Sequence, residues 1–181
     1  MTVTASMIRP CLGFDDQAEE AVDLCTGAFP DLRVLRTTHF GREGHEIHGR
    51  PEGAVMTIDF ELGGSTFTAL NGGRLFTFTE AVSRQVRFRD QKPVDHSWER
   101  LREGGDESAR QFGWLKDRFG LSWQIIHEAI LTLLGAPDDE RSRWSMAAML
   151  SRKKPDPTTI RAAWEGLSRI RHNASMAPGR A

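Results

Sequence analysis

The chain has 181 residues, 39% of them apolar and 27% charged, and its 24 Lys and Arg stand against 25 Asp and Glu for a net charge of −1. With a mean hydropathy of −0.45, this is the composition of a folded globular domain; it excludes a disordered chain and a strongly basic nucleic-acid binder. No apolar run nears the roughly 18 residues that span a bilayer, and the first residues carry no basic-then-apolar leader, so the expectation is a cytoplasmic protein with no nucleic-acid and no membrane partner.

Cys11 and Cys25 are the only cysteines. Two are too few for a disulfide scaffold or a cysteine zinc site, and both read as small buried hydrophobes. Residues 7–14 are short and apolar, a first strand, and Asp15-Asp16 then offers a helix start. Ala18, Val22, Cys25 and Phe29 recur as one stripe of an amphipathic helix that Pro30 stops. A strand is predicted over 33–40, then a polar, glycine-dotted stretch over 41–53. Strands over 55–62 and 65–70 meet at Gly63-Gly64, a pair that supplies the positive φ angles of a tight hairpin.

The order then recurs. A strand over 81–89 leads into a helix marked by Val94, Trp98 and Leu101 and ended by Gly104-Gly105. A weak strand near 107–112, a segment over 114–119 and a strong strand over 121–127 follow. From Ala129 the pattern is helical, and Asp156-Pro157 is a cap followed by a first-turn proline. Ile160, Ala163, Trp164 and Leu167 share a face of that last helix. Two strand–helix–strand–strand–strand units thus follow one another, over 1–78 and 79–134, with a helical extension over 135–171 and a flexible tail over 172–181.

The segments FTALNGG (67–73) and GWLKDRFGLSWQI (113–125), supported by PCLGFDDQAEEA (10–21) and GAVMTIDFEL (53–62), resemble the PhnB-like family. This family is also labelled the 3-demethylubiquinone-9 3-methyltransferase domain, within the glyoxalase/bleomycin resistance/dioxygenase (vicinal oxygen chelate) superfamily. The resemblance implies an α+β fold of paired βαβββ modules, each a curved sheet with its helix outside and a cup inside, here with C-terminal helices added. It also implies a homodimer, and a divalent metal held in the cup by His and Glu.

A catalytic metal needs about three converging imidazole or carboxylate ligands. Set against the superfamily pattern, the ligand positions fall on Ile8, Ser83 and Gln124, none a good ligand for a divalent ion. No metal and no cofactor is therefore expected. His45, Glu46 and His48 read as solvated loop residues, and His127-Glu128 as a helix start. Strand alternation places Ser83, Gln85 and Arg87 on one face, with Gln124 on its neighbour. The family pattern turns Phe67 and Asn71 inward with them. Ser83, Gln85, Arg87, Asn71, Gln124 and Phe67 are thus the cup-facing candidates for a small polar or aromatic ligand.

Lys116, Asp117 and Arg118 read as a turn held by mutual ion pairing. Catalytic residues are not identifiable. Against the binding reading stand an enzyme of the superfamily and a dimeric interaction module without a small ligand. A methyltransferase finds no glycine-rich strand-to-helix turn in this chain: Gly63-Gly64 and Gly72-Gly73 open no helix.

Overall fold

In the computed structural model, residues 8–135 and 140–166 are described; Leu167 and the expected tail lie outside them. The chain divides into two units, Met1–Thr79 and Glu80–Ala181.

In the first unit, strand β1 (Cys11–Phe14) leads into helix α1 (Ala18–Ala28), then β2 (Arg33–His39), the single turn α2 (His45–His48), β3 (Val55–Leu62) and β4 (Ser65–Asn71). The strands order as β1-β4-β3-β2, with β1 parallel to β4 and the other pairs antiparallel. The β3–β4 hairpin turns on Gly63 and Gly64 at φ +55° and +77°, the left-handed region that a two-residue turn demands. Helix α1 buries Ala18, Ala21, Val22, Cys25 and Ala28, the predicted stripe, against β3 and β4. The matching sheet face carries Leu12, Phe14, Ile58, Phe60 and Ala69, all buried. Leu12, Phe14, Ile58 and Phe60 each contribute about 1.5–3 kcal/mol by leaving water. Edge strand β2 is exposed almost throughout.

In the second unit, β5 (Ser83–Phe88) precedes α3 (Gln91–Arg102), β6 (Trp114–Lys116) and β7 (Ser122–His127), in sheet order β5-β7-β6. Three helices follow: α4 (Glu128–Leu134), α5 (Glu140–Leu150) and α6 (Pro157–Trp164). Helix α3 buries Val94, Trp98 and Leu101 as its periodicity requires, with Ser97 beside them. The Asp156 carboxylate accepts from the Thr158 and Thr159 amides at 3.0 and 3.4 Å, the cap that its position before Pro157 predicts.

The weak strand expected near 107–112 does not form. Only an isolated bridge joins Gln111 to Trp114, because Phe112 turns to φ +54° and Gly113 to φ +86°. Their amides donate instead to the Arg152 and Lys153 carbonyls, at 2.9 Å each. That stitch fixes the start of α6 beside the sheet.

Candidate functional site

The second sheet brings four of the six predicted residues together. Parallel pairing sets Ser83 beside Ser122 and Gln85 beside Gln124, so one face carries Ser83, Gln85, Arg87 and Gln124. They form a directional relay. Arg87 Nη2 and Nε donate to Gln85 Oε1 at 2.9 and 3.2 Å. Gln85 Nε2 donates to Gln124 Oε1 at 3.3 Å, and Gln124 Nε2 donates to Ser83 Oγ at 2.7 Å. Each carboxamide has two N–H donors and spends one here, so both keep an N–H for an acceptor oxygen.

Phe67 and Asn71 stand elsewhere, a correction to the inward-facing expectation. Phe67 pairs with Phe60 and stacks on its ring at 5.3 Å, on the helix-covered face of the first sheet. Asn71 is buried; its Oδ1 accepts from the Ala18 amide at 2.9 Å and its Nδ2 donates to the Val55 carbonyl at 3.0 Å. Helix α1 has no side-chain cap of its own at Gln17, so Asn71 satisfies a first-turn N–H from across the sheet. Its polarity is spent on the fold.

The opposite face of that sheet holds a residue the sequence reading passed over. Asp59 on β3 pairs with Arg9 at 3.0 Å and accepts from Thr68 Oγ1 at 2.6 Å. The hairpin register, which sets Asp59 opposite Thr68, was the signal that could have found it. Cys11 pairs with Thr68 and is exposed, whereas Cys25 is buried, so only one cysteine is the small buried hydrophobe expected. Partial desolvation and then the Asp59 carboxylate push the Cys11 thiol up; a protonated thiol is a poor nucleophile.

The divalent metal implied by the superfamily does not fit these residues. Ser83 and Gln124, which occupy two of its ligand positions, are hydrogen-bonded to each other, and Ile8 is 90% exposed. Among the described residues, no three His, Cys, Asp or Glu converge as a metal set. His48 has both ring nitrogens engaged with backbone, accepting from the Arg50 amide at 3.0 Å and facing the Glu43 carbonyl at 3.3 Å. His127 accepts from the Ala129 amide at 3.2 Å and caps α4.

Asp117 is buried, and its partners are N–H groups, not the neighbouring cations of the ion-paired turn expected. It accepts from Phe119 N, Leu121 N and Trp123 Nε1 at 2.9, 3.1 and 2.8 Å. Burial pushes this carboxyl up in spite of those donors. Lys116 pairs with Glu80, and the Arg118 guanidinium lies over the Phe119 ring.

A cavity of about 320 Å³ opens on the relay face of the second sheet. Gln85, Gln124, Ile126, Phe112 and Trp114 contribute to its wall from the sheet side. Across from them stand α4 through Ile130, Leu131 and Leu134, α5 through Met149, and the turn into α6 through Arg152, Lys154 and Pro155. The volume lies at the small end of the roughly 300–1,000 Å³ typical of ligand pockets.

The sequence model of the 3-demethylubiquinone-9 3-methyltransferase family matches residues 6–126. A PhnB protein from Bacillus cereus, a putative 3-demethylubiquinone-9 3-methyltransferase, is 27% identical with a TM-score of 0.57, and covers 67% of this chain and 99% of its own. Protein PA1353 from Pseudomonas aeruginosa shares the fold at 16% identity and TM-score 0.53, over 68% of this chain and 98% of its own. The fosfomycin resistance protein FosX from Mesorhizobium loti stands further off, at 14% identity and TM-score 0.46, over 68% of this chain and 91% of its own. No curated protein matches the chain. With the matched span running through both sheets, the chain belongs to the PhnB-like, 3-demethylubiquinone-9 3-methyltransferase family of the vicinal oxygen chelate superfamily.

Proposed function

We propose that this chain is a metal-independent member of its family that binds a small molecule, polar or aromatic, on the open face of the second sheet. The observation that carries the reading is the Arg87–Gln85–Gln124–Ser83 relay at the edge of the cavity. At the three positions where the superfamily pattern puts metal ligands, this chain has Ile8, the Ser83 hydroxyl and the Gln124 carboxamide, the last two bonded to each other. Such a face offers N–H donors to an acceptor oxygen, and Arg87 adds a charge that favours an anion.

The methyltransferase in the family's description has less support. The glycine pairs serve a hairpin and a loop, and among the described residues none opens a helix over a parallel sheet in the manner of a nucleotide-binding turn. Calorimetry with S-adenosylmethionine is expected to show no binding, and micromolar affinity would restore that reading. The resemblance also favours a homodimer, for which the exposed edge strand β2, with Val34 and Leu35 about half exposed, supplies a strand edge that is unpaired among the described residues.

The deciding experiment combines metal analysis with ligand mapping on the full chain. Purified protein should carry less than one equivalent of divalent metal and keep its melting temperature in chelator. Small carboxylates screened by NMR should shift the side-chain amides of Gln85 and Gln124, and Arg87→Ala should weaken the best of them about fivefold. Stoichiometric metal lost to chelator together with stability would overturn the metal-free part. Bound carboxylates that leave both amides unmoved would overturn the site.

A further inference from the structure

The family match ends at residue 126, yet the cavity on the relay face draws more than half of its lining from residues beyond that point. We infer that the C-terminal helices turn an open family face into a walled pocket for a compact apolar or aromatic carboxylate. This rests on the reading that the Gln85–Gln124 face binds ligands, and it adds who builds the other wall and what that wall selects.

The wall is pinned. Phe112 and Gly113 amides hold the Arg152 and Lys153 carbonyls at 2.9 Å. Gln91 Nε2 donates to the Pro155 carbonyl at 3.1 Å, and Lys154 pairs with Asp95 at 2.7 Å. A Cβ on Gly113 would stand 2.6 Å from the Ile125 carbonyl and 3.2 Å from Pro155 Cγ, so the segment before α6 sits directly on the sheet.

The chemistry of the lining is one-sided. Ile130, Leu131 and Leu134 of α4, Met149 of α5 and Ile160 of α6 make the body of the pocket apolar. Its polar side chains are the carboxamides of Gln85 and Gln124, the indole of Trp114 and the cations of Arg152 and Lys154; among the described residues no carboxylate lines it. Lys154 is already paired with Asp95 and lies 3.9 Å from Glu99. Arg152 donates one nitrogen to Thr159 Oγ1 at 2.8 Å, and its charge also acts on the nearby Asp156 carboxylate. Arg152 and Gln85 are exposed, and the guanidinium and carboxamide N–H groups not used within the protein are open to an acceptor from a ligand in place of water. An apolar body with a carboxylate head answers both halves of the wall, whereas a cationic head on the same body meets like charge at Arg152 and Lys154.

The probes are 2-naphthoate, its neutral analogue 2-naphthamide and the cation 2-naphthylmethylamine, titrated into the full chain. Naphthoate is expected to bind one per chain, with the amine at least tenfold weaker. Leu134→Trp, which fills the cavity, should weaken naphthoate about tenfold or more, while Leu134→Ala, which opens it, should change affinity less than about threefold. That pair separates occupied space from damaged folding, because unfolding would penalise both. Arg152→Gln should weaken naphthoate about fivefold and leave naphthamide unchanged.

Naphthoate that fails to bind, binds no better than the amine, or binds Leu134→Trp as well as the parent chain overturns the inference. If the last result comes with binding that Gln124→Leu abolishes, the sheet face survives as a site and only the helical wall is lost. Binding lost in Leu134→Trp but indifferent to Gln124→Leu keeps the walled pocket and removes the relay reading.

Discussion

The two units repeat one scaffold and end it differently. In each, the first strand lies parallel to the last, and the closing register sets Phe14 beside Asn71 in one and Phe88 beside His127 in the other. Asn71 turns back to hold the first amide of α1, and Gly72-Gly73 then release the chain into a loop. His127 turns forward to cap α4, and the chain continues as helix. The second sheet also lacks the fourth strand that β2 supplies to the first. One polar side chain at the end of the last strand thus accompanies two outcomes: a module that closes on its own helix, and one that carries an extension onto its open face.

This contrast can be broken most severely at Gly113. Gly113→Val puts a branched side chain at φ +86° and within 2.6 Å of a backbone carbonyl, and is expected to cost about 4 kcal/mol. Gly63→Ala, also at positive φ but with nothing within 4 Å of its Cβ, should cost about 1 kcal/mol. Chemical denaturation of both variants measures the gap; equal costs would show that Gly113 does not lie against the Ile125 carbonyl and Pro155 as described.

Next in size come the buried acceptors. Asp117→Ala orphans three N–H donors of the second unit and is expected to cost about 3 kcal/mol, against about 2 kcal/mol for Asn71→Ala in the first. Thermal melts that rank them the other way would mean that the helix start depends on Asn71 more than the turn depends on Asp117.

The smallest effect concerns acid. Hydrogen bonds from Lys154 and then Gln91 hold the Asp95 carboxyl below its ordinary value. A carboxyl lowered on folding stabilises fully above its unfolded value of about 4, and that contribution is lost as pH falls through the lowered folded value. Acidification below about pH 4 should therefore loosen residues 152–155 before the sheet, read by hydrogen exchange of the Phe112 and Gly113 amides, which donate to the Arg152 and Lys153 carbonyls. Asp95→Asn should remove that sensitivity, while the amide of Ala18 in the first unit should not respond to this substitution at all.

Much of the fold is local and was readable. The hairpin needed two positive φ angles and had Gly63-Gly64 to take them. The stripes of α1 and α3 needed only helical spacing, and Asp156 before Pro157 needed only the amides two and three residues on. The metal misfit was readable too, because it depends on residue type at the ligand positions. The face of β4 was not. Alternation separates Phe67, Ala69 and Asn71 from Thr66, Thr68 and Leu70, but it does not say which set a helix covers. That depended on the Ala18 amide, 53 residues away in the chain.

The sequence by itself therefore determined element order, the turns, the helix stripes, family membership and the unsuitability of Ser83 and Gln124 as metal ligands, since each follows from residue chemistry or short-range geometry. Only the tertiary structure decided that Asn71 serves α1, that 107–112 gives up its strand, and that α4 to α6 wall the Gln85–Gln124 face. Those outcomes turn on backbone donors meeting acceptors some forty to fifty residues distant, and a buried N–H takes whatever acceptor the assembled fold brings to it.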